Sequence, residues 1–189
     1  MKLRSPTAKL RRRGLVAALA IATVGALGVA PGSAMAASGS GGTSTVPPPP
    51  DAPTGATAEL LDNGDAVAPE GAPPEVVRAI EFANRINRKP YVYGGGHKSW
   101  KIDRGYDCSG AVSYTLHGAR LLKSPLPSGD LAKWGSPGVG EWISVYANAG
   151  HAYAVVAGLR WDTSGGKGPR WHEDMRSAKG YKVRHAEGF

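Results

Sequence analysis

The chain of 189 residues contains a single cysteine, Cys108, and this thiol is the first candidate for chemistry. It follows Asp107 in the stretch RGYDCSGAVSYTL, where the aspartate is a predicted N-cap of a helix from Cys108 to about Ala119. A cysteine in the first turn of a helix sees the positive end of the helix dipole, which lowers its pKa and favours the nucleophilic thiolate. The position leaves two interpretations open, a nucleophile or an inert buried cysteine.

The residues around the thiol suit an attack on a carbonyl group. Ser109 and Gly110 add little side-chain bulk beside the sulfur, so a substrate carbonyl has room to approach. The backbone amides at the start of the helix are placed to receive the oxyanion that forms on attack.

A cysteine nucleophile needs a base within hydrogen-bond reach, and the chain offers five histidines. His151 opens the apolar stretch HAYAVVAG directly after a predicted turn, so it is either a partly solvated strand-end residue or a base that faces a cleft. The other four lie in a glycine-rich loop, a helix, a polar loop and a terminal strand: His97, His117, His172 and His185.

A third group is needed to orient the base, and the hairpin after His151 predicts one. If residues 157–158 form a two-residue turn, Val156 pairs with Leu159, and Asp162 lies on the same face as His151 as its diagonal neighbour. Diagonal neighbours are about 7–8 Å apart, within reach of long or aromatic side chains. A carboxylate there would fix the tautomer of the imidazole. The alternative is that Asp162 begins an Asx turn, and the spacing does not separate the two.

Metal and phosphate chemistry are not indicated. No pair of histidines has the i, i+4 spacing of helical ligands, and one cysteine cannot build a thiolate site. The glycine run 94–96 is not followed by a Lys-Ser or Lys-Thr pair that opens a helix, so it is not a phosphate-binding loop. We expect neither a metal nor another cofactor.

The elements that must position these residues follow from hydrophobic periodicity. PEVVRAIEFANRINR predicts a helix with Val76, Ile80 and Ala83 on one face and Pro74 in its first turn. KPYVYGGGH predicts a short strand that runs into the glycine loop. EWISVYANAG, HAYAVVAG, LRWDTSGG and YKVRHA predict antiparallel strands. Two helices followed by a small antiparallel sheet indicate an α+β domain.

The N-terminal part has a different composition and predicts export. Residues 1–36 combine a basic start, an apolar run and Ala34-Met35-Ala36, the pattern of a cleaved signal peptide. Residues 37–74 are rich in Pro, Gly, Ser and acidic residues and predict a disordered linker. Residues 75–189 remain as one folded domain, and we expect no stable membrane insertion once the signal is cleaved.

Basic residues lie in the first 36 residues and in the predicted folded domain, and the predicted linker between them is acidic. The whole chain has 23 basic and 15 acidic residues, of which residues 1–36 hold six basic and no acidic ones. Residues 75–189 hold 17 basic and 10 acidic residues, a net charge of +7 behind an acidic linker. This distribution does not indicate nucleic-acid binding; it suits attraction to an anionic polymer such as a bacterial envelope, or ordinary solubility.

Three features together resemble the NlpC family of cysteine peptidases: PYVYGGG, YDCSG and the strand opened by His151. The resemblance covers most of 75–189 and implies a circularly permuted papain-like fold, with the cysteine on a helix packed against an antiparallel sheet. It implies that Cys108 is the nucleophile, that His151 is the base, and that the hydroxyl of Tyr91 lies near the thiol. For Tyr91 the alternative is plain strand packing, and Ser109 belongs to the substrate or oxyanion side.

The third position departs from the family, which usually has His, Asn or Gln there at a slightly longer spacing. Asp162 is the best-placed side chain in this chain, and His172 is its rival. Members of the family are typically exported and cut the peptide stems of peptidoglycan, often next to a D-configured residue. The resemblance therefore implies a secreted or wall-associated peptidoglycan endopeptidase, which we expect to be a monomer. Two other classes stay open, an inactive wall-binding module and an amidase or acyl transferase that uses the same Cys-His pair.

Overall fold

A computed structural model of the protein describes residues 56–189. Its helices are α1 (Pro74–Ile86), α2 (Cys108–Gly118) and the short α3 (Ser128–Leu131). Its strands are β1 (Glu59–Leu60), β2 (Ala66–Val67), β3 (Ser136–Pro137), β4 (Ile143–Ala147), β5 (Ala152–Val156), β6 (Leu159–Asp162), β7 (Arg170–His172) and β8 (Lys182–His185).

The strands β3 to β8 form one six-stranded antiparallel sheet in the order β3-β8-β4-β5-β6-β7. α1 packs against α2, and α2 lies against β5 and β6. The predicted α+β class, with N-terminal helices on a small antiparallel sheet, is confirmed. The four predicted strands correspond to β4, β5, β6 and β8, whereas β3 and β7 have only two and three residues and give no readable alternation.

The two helices differ in how much of their surface is buried. α1 buries one stripe, and its residues at i, i+3, i+4, i+7 and i+10 spacing face the core: Val76, Ala79, Ile80, Ala83 and Ile86. α2 is buried on nearly all sides, with His117 as its one residue that is not buried. The helix that begins with Cys108 is therefore the central element of the domain.

The turn between β5 and β6 fixes their register. Ala157 and Gly158 both have positive φ, 43° and 77°, as expected for the mirror-image turns that close two-residue hairpins. Val156 pairs with Leu159 as predicted, and Ala154 pairs with Trp161. A one-residue slip would move every side chain of β6 to the other face, so this turn decides where Asp162 lies.

The structure differs from the predicted disordered linker over its last part. β1 and β2 form a hairpin in which Ala66 is buried, and Ala58, just before β1, is buried as well. The Asn84 side chain, on α1, accepts a hydrogen bond from Ala66 N at 3.0 Å and donates one to Ala66 O at 2.8 Å. The segment has few large apolar residues, and these side-chain amide contacts with its backbone add to the burial of its two alanines.

The predicted signal peptide and residues 37–55 of the predicted linker lie outside the described residues. Within residues 56–189, no helix combines the length and the apolar character needed to cross a membrane.

The stretch KPYVYGGGH also differs from its prediction. It forms no regular strand, and its pairing is one parallel bridge between Tyr91 and Tyr106. Beyond that bridge the chain turns at once, with Gly95 N donating to Val92 O at 2.9 Å. The glycines therefore end the extended stretch before it can join a sheet.

We expect Asn84→Ala to destabilise the domain. The Asn84 Oδ1 atom also accepts from Trp171 Nε1 at 2.8 Å, so the change leaves that group and both polar groups of Ala66 without their partner. Because an unsatisfied buried group costs roughly 1–3 kcal/mol, the free energy of unfolding should fall by roughly 2–4 kcal/mol in urea denaturation. Glu81→Ala, an exposed change on the same helix, is the control. A loss no larger than that of the control would contradict this account.

Candidate active site

Cys108 lies on the floor of an open cleft of about 520 Å³ and is itself 8% exposed. Residues between 91 and 97, the start of α2, residues 127–130 and residues 149–150 line this cleft. The thiol is thus shielded from bulk water, and the cleft gives a substrate a route to it.

Asp107 fixes the start of α2 and the loop beside it, as its predicted N-cap role requires. Its Oδ1 atom accepts from Gly110 N at 2.7 Å, and its Oδ2 atom accepts from Gly94 N at 3.0 Å. A Cβ at Gly110 would overlap the carbonyl oxygen of Gly95, so only glycine allows the loop to approach the helix this closely. The glycine loop is therefore held directly beside Cys108.

His151 is held at the entrance to β5 by the turn that precedes it. Asn148 Oδ1 accepts from the backbone amides of Gly150 and His151, each at 2.9 Å, and His151 O accepts from Asn148 N at 2.9 Å. The His151 ring donates from Nε2 to Asp162 Oδ1 at 2.9 Å. Because Nε2 is engaged there, Nδ1 is the ring nitrogen left for the hydrogen bond with the Cys108 sulfur.

The environment of His151 favours its charged form. The hydrogen bond with Asp162 raises its pKa most, the hydrogen bond with Cys108 raises it further, and burial opposes both, so that the pKa rises to about 9. The imidazolium is therefore the main form at neutral pH. Its contribution to stability is complete below the unfolded pKa of about 6.5 and is lost as the pH rises through about 9.

The Cys108 thiol is correspondingly acidic. Burial raises its pKa, but the hydrogen bond with His151, a hydrogen bond from the Ala152 amide and the charge of His151 together outweigh burial and lower it. The nearby carboxylate of Asp107 opposes this effect. A thiolate–imidazolium pair is the state that these contacts favour.

Asp162 is fully buried in its side chain and has four hydrogen-bond donors. Oδ1 accepts from His151 and from Ser164 N at 3.0 Å, while Oδ2 accepts from Arg160 at 2.7 Å and from Arg176 at 3.0 Å. Burial alone would raise its pKa, but these contacts hold it well below the ordinary range of a carboxyl group. Asp162 is therefore an acceptor that stays ionised beside the ring.

Both interpretations of Asp162 that the sequence left open describe the same side chain. Its contact with Ser164 N is an Asx turn, and its contact with His151 is the diagonal contact that the two-residue turn predicts. His172, the rival, is not in contact with His151. It pairs with Arg160 across β6 and β7, and its Nδ1 atom lies 3.7 Å from Asp174 Oδ1.

The two remaining predicted residues, Tyr91 and Ser109, both line the cleft. Tyr91 is 46% exposed, and burial, followed by the negative charge of Cys108, raises the pKa of its hydroxyl. The Ser109 hydroxyl donates to Asp107 Oδ1 at 3.1 Å and also contacts His97 Nε2 at 3.2 Å. Ser109 therefore takes part in the hydrogen bonds of the helix start.

Three residues at the site carried no predicted role. His97 Nε2 donates to Asp107 Oδ1 at 2.9 Å and lines the cleft, so a second histidine–carboxylate pair lies next to Cys108. Arg160 and Arg176 contact Asp162. For Arg160 a signal existed, since it stands two residues before Asp162 in an otherwise apolar strand. For Arg176 there was none, because it comes from a loop without a repeating pattern.

In the part of the chain that the structure describes, no group of three or more His, Cys, Asp or Glu residues could hold a metal ion.

Comparisons with known proteins find similarity in structure. The chain is 25% identical to the peptidoglycan hydrolase RipB from Mycobacterium tuberculosis, with a TM-score of 0.47, over 59% of this chain and 64% of that one. A mutated form of the resuscitation promoting factor interacting protein RipA is 23% identical over 70% of this chain and 71% of that one, with a TM-score of 0.44. In structure, the chain is similar to the peptidoglycan hydrolase RipB.

A hypothetical invasion protein of Mycobacterium tuberculosis is also similar, 24% identical over 70% of this chain and 71% of that one, with a TM-score of 0.44. This chain spans about 64% of the RipB chain. No protein-family profile and no curated protein matches the sequence.

We expect His151→Ala to make Cys108 less reactive. Without the imidazole, burial still raises the thiol pKa, while the hydrogen bond and the charge of His151 are gone and only the Ala152 amide still opposes burial. A hydrogen-bonded opposite charge shifts a pKa by roughly 1–3 units, so alkylation by iodoacetamide at pH 7 should slow by about tenfold or more. Mass spectrometry reads the label directly because Cys108 is the one cysteine of the chain. His185→Ala, on β8, is the control, and equal rates in both variants would contradict the ion pair.

Proposed function

We propose that the protein is an exported cysteine endopeptidase that hydrolyses peptide bonds in the stem peptides of peptidoglycan. The observation that carries the catalytic part is the series of hydrogen bonds from Cys108 to His151 to Asp162, with the sulfur at the floor of an open cleft. A nucleophile in contact with a base, and a carboxylate that orients the base, form the arrangement typical of acyl transfer by a thiol.

The reaction begins with attack of the Cys108 thiolate on the carbonyl carbon of a peptide bond. The carbonyl oxygen takes the negative charge and is bound by the amides at the start of α2, where the helix dipole also favours an anion. The His151 imidazolium then gives its proton to the leaving nitrogen as the C–N bond breaks. The products of this half are an amine and a thioester on Cys108.

Water completes the cycle. Neutral His151 takes a proton from a water molecule while the oxygen of that water attacks the thioester carbon. The C–S bond then breaks and releases the carboxylic acid and the thiolate of Cys108. Asp162 accepts the hydrogen bond from His151 throughout and does not take the proton, because its contacts keep its pKa far below neutrality. No cofactor enters this scheme.

The substrate part of the proposal rests on the motifs and on charge. PYVYGGG and YDCSG resemble those of enzymes that cut peptidoglycan stems, and Tyr91 and Ser109 from these motifs line the cleft beside the sulfur. The net charge of +7 over residues 75–189 suits an anionic wall polymer. The predicted signal peptide supports a secreted or wall-associated location, and we propose a monomer in which residues 75–189 are the catalytic domain.

We expect Cys108→Ser to abolish release of peptide fragments from purified peptidoglycan while leaving the fold intact. The hydroxyl of serine is far less acidic than the thiol, so the ion pair with His151 cannot form. Mass analysis of the soluble products measures the loss, and circular dichroism checks the fold. If the variant keeps most of the activity, the thiol is not the nucleophile.

The same digest separates the two other classes. A wall-binding module would bind peptidoglycan and release nothing in its unmodified form. An amidase would separate stems from glycan strands, and an acyl transferase would join two stems, whereas an endopeptidase yields shortened stems with new amino and carboxyl ends.

We expect Asp162→Asn to lower kcat by about 10²–10⁴-fold, the range of acid–base contributions. The asparagine keeps one acceptor but loses the charge, and its amide group can favour the wrong tautomer of His151. It also removes the carboxylate charge of Asp162 from Arg160 and Arg176, so the melting temperature should fall as well, and kcat must be measured well below that temperature. His172→Ala is the matched control, because this rival lacks the contact with His151. A larger loss of kcat in His172→Ala than in Asp162→Asn would assign the third position to His172.

A further inference from the structure

The two oxygens of Asp162 have different partners. Oδ1 faces His151 and the amide of Ser164, whereas Oδ2 accepts from both Arg160 and Arg176. The terminal torsion of an aspartate is soft and roughly two-fold, so a buried carboxylate needs contacts on both oxygens to hold one orientation. In this chain the arginines supply the contacts on the oxygen that does not touch the base.

Arg160 is the better buried of the two and is held in turn by the loop between β7 and β8. It stands two residues before Asp162 on β6, so both side chains leave the strand on the same face. Arg160 Nε donates to Asp174 O at 2.8 Å, and its Nη2 atom lies 2.9 Å from Asp174 Oδ2. The loop therefore fixes the orientation of the Arg160 guanidinium group.

Arg176 comes from the same loop and makes its own set of contacts. Its Nη1 atom donates to Asp162 Oδ2 at 3.0 Å and to Ser164 Oγ at 2.9 Å. Its guanidinium lies 5.3 Å from the ring centre of Tyr153 and 5.4 Å from that of Tyr181, within the range of cation–π attraction. Tyr181 in turn stands edge-on to the His151 ring at 6.3 Å.

We propose that Arg176, together with Arg160, is a positioning residue of this site: it holds Asp162 so that one carboxylate oxygen stays aimed at His151. This inference rests on the proposed function for its catalytic meaning. In physical terms, the loop between β7 and β8 sets the orientation of the His151 ring through Asp162.

The charges around the site support this assignment. The imidazolium of His151 and the two arginines are three cations, and the thiolate of Cys108, Asp162 and Asp174 are three anions, linked by the contacts described above. The other titratable groups that face them are Tyr91, Tyr153, Tyr181, His172 and Asp107. Loss of one cation therefore changes both the net charge and the geometry, and the two changes have different signatures.

The test variant is Arg176→Met, which keeps an unbranched apolar stem against the tyrosine rings and removes the charge and the donors. The pKa of Cys108 is read from the pH dependence of iodoacetamide alkylation. The pKa of His151 is read by NMR from the Cε1 proton of its ring, assigned with His151→Ala. Lys179→Met is the matched control, because it removes the same charge from an exposed position of the same loop.

If Arg176 positions Asp162, the two pKa values move toward each other. The His151 pKa falls because its acceptor turns away, and the Cys108 pKa rises because its imidazolium partner is weaker. We expect each to move by about one unit, at the lower end of the roughly 1–3 units that a hydrogen-bonded opposite charge contributes. Lys179→Met should leave both values where they are.

Two outcomes would overturn the inference. A parallel rise of both pKa values would mean that Arg176 acts through its charge alone, and unchanged values with a lower melting temperature would mean a purely structural role. If Arg176→Met fails to fold, Arg176→Lys takes its place; it keeps the charge with a different geometry, so converging values still support positioning and unchanged values oppose it. None of these readouts uses peptidoglycan, so failure of the proposed substrate leaves this test intact.

Discussion

The buried carboxylate of Asp162 is the charge on which the rest of the site depends. An ionised carboxylate away from water is costly unless hydrogen bonds surround it, and here two arginines, one backbone amide and one imidazole do so. Because this anion persists, His151 is held in its protonated form at neutral pH, and because His151 is protonated, the Cys108 thiol loses its proton readily. The lowered pKa of the thiol thus depends, through His151, on a residue that does not touch the sulfur.

The fold makes these contacts possible by fixing the register of one hairpin and the start of one helix. The positive φ angles of Ala157 and Gly158 close the β5–β6 hairpin so that Asp162 reaches His151. Asp107 caps α2 and binds the glycine loop, so the start of the most buried helix cannot shift relative to the cleft wall. Cys108 and His151 therefore lie at the starts of two elements, and local interactions fix the position of each element.

Much of this arrangement was predictable because it is local in the chain. The N-cap, the periodicity of α1 and the pairing of Val156 with Leu159 each depend on residues a few positions apart. The hairpin of β1 and β2 was not predictable from composition, since it buries only small side chains such as Ala66 and also depends on hydrogen bonds with the distant side-chain amide of Asn84. Arg176 was missed for a similar reason: it reaches Asp162 from a loop without periodicity, and only the folded chain brings the two together.

The presence of one cysteine has a consequence for how the site withstands oxidants. Peroxides oxidise the thiolate form of a cysteine to sulfenic acid, and a thiol with a low pKa is mostly in that form. Reversal normally proceeds through a disulfide with a second thiol. This chain has no second thiol, so a sulfenic acid on Cys108 must be repaired by a thiol from another molecule or advance to the irreversible sulfinic and sulfonic acids. The 8% exposure of Cys108 is then a protection as well as a constraint, because the cleft that leads to the sulfur also sets how fast a small oxidant arrives.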